Sequence, residues 1–220
     1  MNNAENIFSK YINLENGKIR IGGGNSLINS LILSPLVEFM KKYPNIEISI
    51  ESGITDKLIQ KLSNGELDIV VLNLPYSARE YSNVEIMSLK KSKFAFFASK
   101  KYLENKKIDS LIEISKNKLI LPKRLSAKRK ILDEIAEENG VELVANYEVS
   151  STSIMKKLVL NDIGIGFSNI ENLKDIQDDI EILKVIDLKD TAEGIASLKK
   201  NMCSKATIEL VKLIKKYNEK

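Results

Sequence analysis

The sequence contains no histidine and no tryptophan, one cysteine and four prolines. Without histidine there is no Ser-His-Asp or Cys-His pairing and no HExxH, and the commonest general base and metal ligand is missing. The single cysteine, Cys203, allows no internal disulfide and no CxxC, which suits a reducing cytoplasm. It stands beside a helix start with no histidine to activate it, so it reads as a packing residue. No apolar run approaches the ~20 residues that span a bilayer. The opening MNNAENIFSK has neither the basic nor the apolar segment of a secretory leader. Walker and GxGxxG signatures are missing as well. Acidic residues are plentiful, but Asp133, Glu134, Glu137 and Glu138 sit at helical spacing and read as a solvated face. The net charge of +4, from 34 basic and 30 acidic residues, is mild and interspersed, unlike a nucleic-acid-binding stripe. This inventory predicts no catalytic residue, no metal site, no cofactor and no membrane partner.

What is present is a core and a rhythm. Of 220 residues, 43% are hydrophobic, enough for one large or two small α/β domains. The stretch GKIRIGGGNSLINSLILSPLVEFMKKYPNIEISIESGIT, residues 17–55, organises the rest. Residues 18–21 alternate as a strand. Gly22, Gly23 and Gly24 supply backbone freedom for a turn, and Asn25 and Ser26 are good helix N-caps. Leu27, Leu31, Leu36, Phe39 and Met40 form a helical stripe, broken near Pro35. Residues 46–51 alternate strictly as a strand. Thr55 or Asp56 caps a helix that Asn64-Gly65 ends. Residues 67–72, LDIVVL, read as a buried parallel strand. The order β-α-β-α-β makes residues 17–75 a parallel, doubly wound half.

A second series follows. Strands over 84–89 and 94–98 flank the polar break Lys90, Lys91, Ser92 and Lys93, which is a turn or a passage between lobes. Asp109 caps a short helix, 119–121 is a strand, and Ser126 caps a helix stopped at Asn139-Gly140. Residues 147–149 and 163–167 are strands around a helix capped by Ser151 or Thr152. Residues 169–181 form a loop or short helix, 182–188 and 195–199 are strands, and Ser204 caps a last helix. Residues 4–14 carry Ile7, Tyr11 and Leu14 at helical spacing, as the tail of a longer helix or a docking arm.

A hydroxyl or amide recurs at the end of a strand, just ahead of a helix: Asn25 and Ser26, Thr55, Ser126, then Ser150, Ser151 and Thr152. Each can be a cap and nothing more, contributing about 1 kcal/mol. Four such positions at strand carboxyl ends also describe where α/β sheets bind ligands, among helix N-termini suited to a polar or anionic small molecule.

GKIRIG, a helix with SPLVEFMKKYPNIEISI, and NGELDIVVLN together resemble the effector-binding domain of LysR-type transcriptional regulators. The matching residues are Gly17, Ile19, Ile21, Gly22, Pro35, Phe39, Tyr43, Pro44, Gly65, Leu67 and Asp68, with EVSSTSIMKKLVLNDIGIGF downstream. The resemblance runs from Gly17 to Tyr217. It implies a type II periplasmic-binding-protein-like fold: two doubly wound α/β subdomains joined by two crossover strands, near 89–93 and 195–200, with an effector in the cleft. On that basis residues 17–90 and 199–220 form effector-binding subdomain I, 91–198 form subdomain II, and 1–16 end a linker helix. Ser26 and Thr55 carry over as effector residues, with Ser126 and Ser150–Thr152 facing them. Two departures are the bare Gly-Gly-Gly turn and Ser168-Asn169 where the family usually has proline. The resemblance further implies a homodimer or higher homo-oligomer, a cytoplasmic location, and DNA contact only through an N-terminal winged helix-turn-helix absent from this chain, which is then a piece of a longer protein or a naturally shortened relative. A solute-binding protein of a transporter on the same fold is the alternative. An enzyme on this fold is a third reading, with no catalytic constellation to support it.

Overall fold

In a computed structural model, which describes residues 16–184 and 191–218, the alternation of KIRI buries Ile19 and Ile21 and makes the first strand, β1, Gly17–Gly22. The chain then continues through β2 (Ile46–Glu51), β3 (Ile69–Leu74) and β4 (Val84–Ser92); β10 (Thr191–Leu198) returns to complete a five-stranded sheet of order β2-β1-β3-β10-β4. β1 pairs parallel with both β2 and β3, while β10 runs antiparallel to β3. The run IVVL explains why β3 is central: Ile69 and Val71 pack into one apolar cluster, Val70 and Leu72 into another. A strand buried on both faces needs a continuous apolar run rather than alternation. Helix α3 (Thr55–Ser63) covers one face with Leu58, Ile59 and Leu62. The other is covered by α2 (Leu33–Lys42) and the C-terminal α8 (Lys205–Asn218), which contribute Leu36, Phe39, Leu210 and Ile214.

The first helix is not simply broken at Pro35. A single turn, α1 (Asn25–Leu27), runs into a π-helical turn over Ile28–Ile32 before α2 begins. Proline has no N–H to offer the carbonyl four residues back, which is that of Leu31. The Asn218 side chain fills the vacancy, its amide donating to the Leu31 carbonyl at 3.1 Å.

A second sheet, of order β7-β6-β8-β5-β9, is built from β5 (Phe94–Ser99), β6 (Leu119–Pro122), β7 (Tyr147–Val149), β8 (Ile165–Asn169) and β9 (Ile180–Leu183). Phe94, Phe96 and Phe167 pack together on one face, with ring centroids 5.5 and 5.0 Å from Phe167. Its helices are α4 (Lys100–Leu103), α5 (Leu111–Ser115), α6 (Ala127–Glu138) and α7 (Thr152–Leu160). Ser110, not Asp109, caps α5, its hydroxyl accepting from the Glu113 N–H at 3.2 Å. Residues 170–176 form a 3₁₀ segment.

The chain divides into two compact units, one ending at Lys90 and resuming at Ala192, the other comprising Lys91–Thr191. Residues 192–198, allotted from sequence to the second lobe, are hydrogen-bonded to β3 from Ala192 onward. Ile195 and Ala196 bury on opposite faces of the first sheet, so β10 belongs there. The helix expected over 4–14, all but the last residue of the linker-helix end at 1–16 and part of the strand expected over 182–188 lie outside the described residues.

Candidate functional site

Seven residues were singled out from sequence, and the fold distributes them over the carboxyl edges of the two sheets. In the first unit, β1, β2 and β3 end at Gly22, Glu51 and Leu74. The three glycines do not serve there by adopting left-handed backbone; none has positive φ. Gly22 and Gly23 are needed for space, whereas a β-carbon on Gly24 would meet nothing within 4 Å. A β-carbon on Gly23 would lie 2.0 Å from the Val71 side chain, so only glycine lets the turn cross β3 this closely.

Neither Asn25 nor Ser26 caps the helix. Gly24 does, in extended conformation, while Asn25 is the first helical residue. The Asn25 side chain turns sideways instead, its Oδ1 accepting from Ser52 Oγ at 2.5 Å, which fastens the β1–α1 turn to the β2–α3 turn. Thr55 likewise occupies the first position of α3, and Ile54 is the cap. The Thr55 hydroxyl is therefore not spent on the helix and has no hydrogen-bond partner among the described residues. The cap expected from Thr55 or Asp56 fails because the chain enters α3 one residue earlier than the hydroxyl pattern suggests.

In the second unit two of the expected caps form. Ser126 Oγ accepts from the Arg129 N–H at 3.2 Å and Ser151 Oγ from the Ile154 N–H at 3.5 Å. Ser151 also exchanges a 2.8 Å hydrogen bond with Ser153. Thr152, the first residue of α7, accepts from the Lys128 ammonium at 3.2 Å, which joins the starts of α6 and α7. Ser150 stands exposed, its hydroxyl without a partner among the described residues. Beneath this edge Arg129 is 4% exposed and held by Asp133 at 2.6 Å and Glu148 at 3.4 Å, so Asp133 is an anchor as well as part of a solvated face.

Sequence reasoning missed three polar groups at the first edge. Tyr76 follows the end of β3. Burial first, then the Asp56 carboxylate in the first turn of α3, push its hydroxyl up to about 12. Asn73 and Glu193 face each other across the β3–β10 ladder, 5% and 2% exposed. Glu193 accepts from the Ser30 hydroxyl at 3.2 Å, whereas Asn73 Oδ1 has no partner among the described residues. The aromatic after LNLP was the one available sequence signal. Nothing in TAEGIASL marks a buried carboxylate.

Ser168 and Asn169, where the family pattern has proline, close β8. The Asn169 amide donates to Ser92 Oγ at 2.7 Å and its Oδ1 accepts from the Glu171 N–H at 2.8 Å. It is a structural clasp.

Among solved structures, this fold is similar to the Synechocystis CcmR regulatory domain in complex with 2-PG, with a TM-score of 0.78, 17% identity, and coverage of 92% of this chain and 98% of that one. It is similar also to the effector-binding domain of QuiR in complex with shikimate, with a TM-score of 0.76, 20% identity, and coverage of 93% and 98%. Those two architectures are the two-sheet α/β arrangement described above. In sequence, the chain is 27% identical over 140 residues to the HTH-type transcriptional activator CmpR of Synechocystis, covering 63% of this chain and 45% of that protein. It is 24% identical over 171 residues to the uncharacterized HTH-type transcriptional regulator YybE of Bacillus subtilis, covering 78% and 57%. The chain thus spans about half the length of the curated relatives it matches. The LysR substrate binding domain family matches residues 13–170, well over half of the sequence, and the chain belongs to that family.

Proposed function

We propose that this chain is the effector-sensing part of a LysR-type transcriptional regulator whose ligand is a small hydroxylated organic acid, met by polar groups at a sheet's carboxyl edge. The observation that carries the reading is the pair of unspent hydroxyls at such edges, Thr55 at the first position of α3 and Ser150 just ahead of the Ser151 cap of α7. Helix starts present backbone N–H groups and a positive dipole end. The first edge already holds a carboxylate, Asp56, in the first turn of α3, which suits a hydroxyl donor more than an acid. The second edge holds Lys128 beside Thr152, with Lys123 and Arg124 exposed after β6, which suits an acid. Asn25, Ser26, Ser126, Ser151 and Thr152 complete the two rims. The CcmR and QuiR domains carry 2-PG and shikimate, both small polar ligands.

The role is sensing rather than catalysis: the sequence has no histidine, and the rims hold hydroxyls, amides and helix starts. The similarity to helix-turn-helix regulators, together with a span of about half their length, supports DNA contact through a domain outside this chain and a cytoplasmic setting. A homodimer is the assembly proposed. Leu33, Val37 and Met40, each more than 40% exposed, make a stripe along α2, and Ile50 is exposed on the edge strand β2. The direct test is a thermal-shift screen of small hydroxy acids, followed by calorimetric titration. A screen in which only cations or apolar compounds stabilise the protein sinks the proposal.

A further inference from the structure

The amino edge of the second sheet carries a cleft of about 350 Å³. Lys118 precedes β6, Tyr147 opens β7 and Asp162 precedes β8, so the cleft lies at the opposite strand ends from Ser126 and Ser151. Its volume falls at the lower end of the ~300–1,000 Å³ typical of ligand pockets.

The charges around it do not cancel. Asp162 accepts from Ser99 Oγ at 2.6 Å and pairs with Lys101 at 3.0 Å. These contacts hold its carboxyl below the usual range, and Lys101 offsets its charge. Lys116 is paired with Glu113 at 2.6 Å. Lys106 is positioned by an aromatic ring instead, its ammonium 3.3 Å from the Tyr102 centroid. Neither Lys106 nor Lys118 has a carboxylate within 4.0 Å among the described residues. The cleft therefore holds two ammonium groups without counter-ions beside the Tyr147 ring, which is 41% exposed.

We propose that this cleft is a second ligand site, binding an organic phosphate of mononucleotide size. Planar carboxylates are matched by the arginine fork, and the cleft offers no arginine. Lysine ammonium groups act as compact point charges suited to a multi-oxygen phosphate. An exposed tyrosine face at the same cleft gives a nucleobase a stacking surface. The site is independent of the effector rims and of how they are occupied.

The test is calorimetric titration of the whole chain, at low salt, with AMP, ribose 5-phosphate, adenosine and inorganic phosphate. AMP is expected to bind tightest. Lys106→Glu and Lys118→Glu should each weaken AMP at least tenfold, and Tyr147→Ala should reduce AMP to the level of ribose 5-phosphate. Lys18→Glu, a charge reversal on β1, should leave AMP affinity unchanged. The three lysines and Tyr147 are at the surface, so the variants should fold, as circular dichroism will verify. The proposal is overturned by no heat with millimolar AMP, by AMP binding that both lysine variants leave intact, or by adenosine or inorganic phosphate binding as tightly as AMP.

Discussion

Asp68 and Arg20 exchange four hydrogen bonds. The Arg20 backbone N–H and Nε both donate to Asp68 Oδ2, at 2.8 and 3.0 Å, and Nη2 donates to Oδ1 at 3.1 Å. The Asp68 N–H returns a bond to the Arg20 carbonyl at 2.8 Å. The carboxylate thereby sets the register at which β3 begins to pair with β1. This gives the aspartate of the NGELDIV motif a structural task. It is not a ligand group.

Replacing Asp68 by alanine should therefore destabilise the first unit by about 1–3 kcal/mol, the range for losing a charge-assisted, partly buried network. Arg20→Met should cost less, because Asp68 keeps its bond from the Arg20 N–H. Denaturant titration reads both, and equal costs for the two variants would show that the side-chain fork carries all of the effect.

The Asn218–Leu31 bond makes a second prediction. Asn218→Ala should cost about 1 kcal/mol, since it orphans a carbonyl that Pro35 cannot serve. In a Pro35→Ala background, where residue 35 regains an N–H, the same change should cost distinctly less. A double-mutant cycle with no coupling would show that the carbonyl is satisfied otherwise.

Much of this fold was legible because periodicity reports burial directly. The IVVL run of β3 follows from both of its faces being covered, whereas the alternation of β2 reports burial at Ile46 and fails at Ile50, which is exposed. The Asn64-Gly65 stop is confirmed by left-handed Gly65, whose following residue bonds back to the Lys61 carbonyl at 2.8 Å. The site was less legible. Asn25 and Thr55 have the chemistry of caps, yet a cap is a position set by backbone dihedrals, and Gly24 and Ile54 took it. The Leu31 carbonyl in the π-turn is met by a side chain 187 residues away, Asn218, which no local pattern contains. Glu193 is buried because β10 returns to the first sheet, a topological fact invisible in TAEGIASL.

Tyr76 should make the first unit sensitive to alkaline pH. Its folded pKa, about 12, lies above the ordinary value of 10.0, so the folded state favours the neutral phenol. That contribution is complete below pH 10 and is lost as pH rises from there through about 12. Tyr76→Phe should flatten the stability profile in this window relative to wild type. Tyrosinate absorbance in which all tyrosines titrate together near the ordinary value would contradict it.

The exposed stripe on α2 should weaken self-association when charged. Val37→Glu should leave circular dichroism unchanged and shift a sedimentation profile toward monomer, since apolar area at an isologous contact is lost twice. If wild type sediments as a monomer at micromolar concentration, the proposed dimer is wrong for this chain.

The effector rims separate into groups that pay for structure and groups that do not, and the two classes should respond differently. Ser126 and Ser151 are caps in fact, so Ser126→Ala and Ser151→Ala should each lose about 1 kcal/mol of stability whether or not a ligand binds there. Thr55 and Ser150 make no hydrogen bond among the described residues, so Thr55→Val and Ser150→Ala should leave stability within about 0.5 kcal/mol of wild type. The same two changes should weaken a hydroxy acid identified by thermal shift, by about tenfold each if one hydrogen bond of ~1.4 kcal/mol is lost. Lys128→Met adds a further discrimination. It should weaken an acid more than the corresponding neutral amide or alcohol, because it removes the cation beside Thr152 and leaves the helix starts in place. Calorimetry of these variants against one acid and its neutral analogue reads all of the differences at once. Unchanged affinity in both Thr55→Val and Ser150→Ala would mean that the unspent hydroxyls are merely solvated, and that the ligand, if any, is held by backbone groups or elsewhere on the chain.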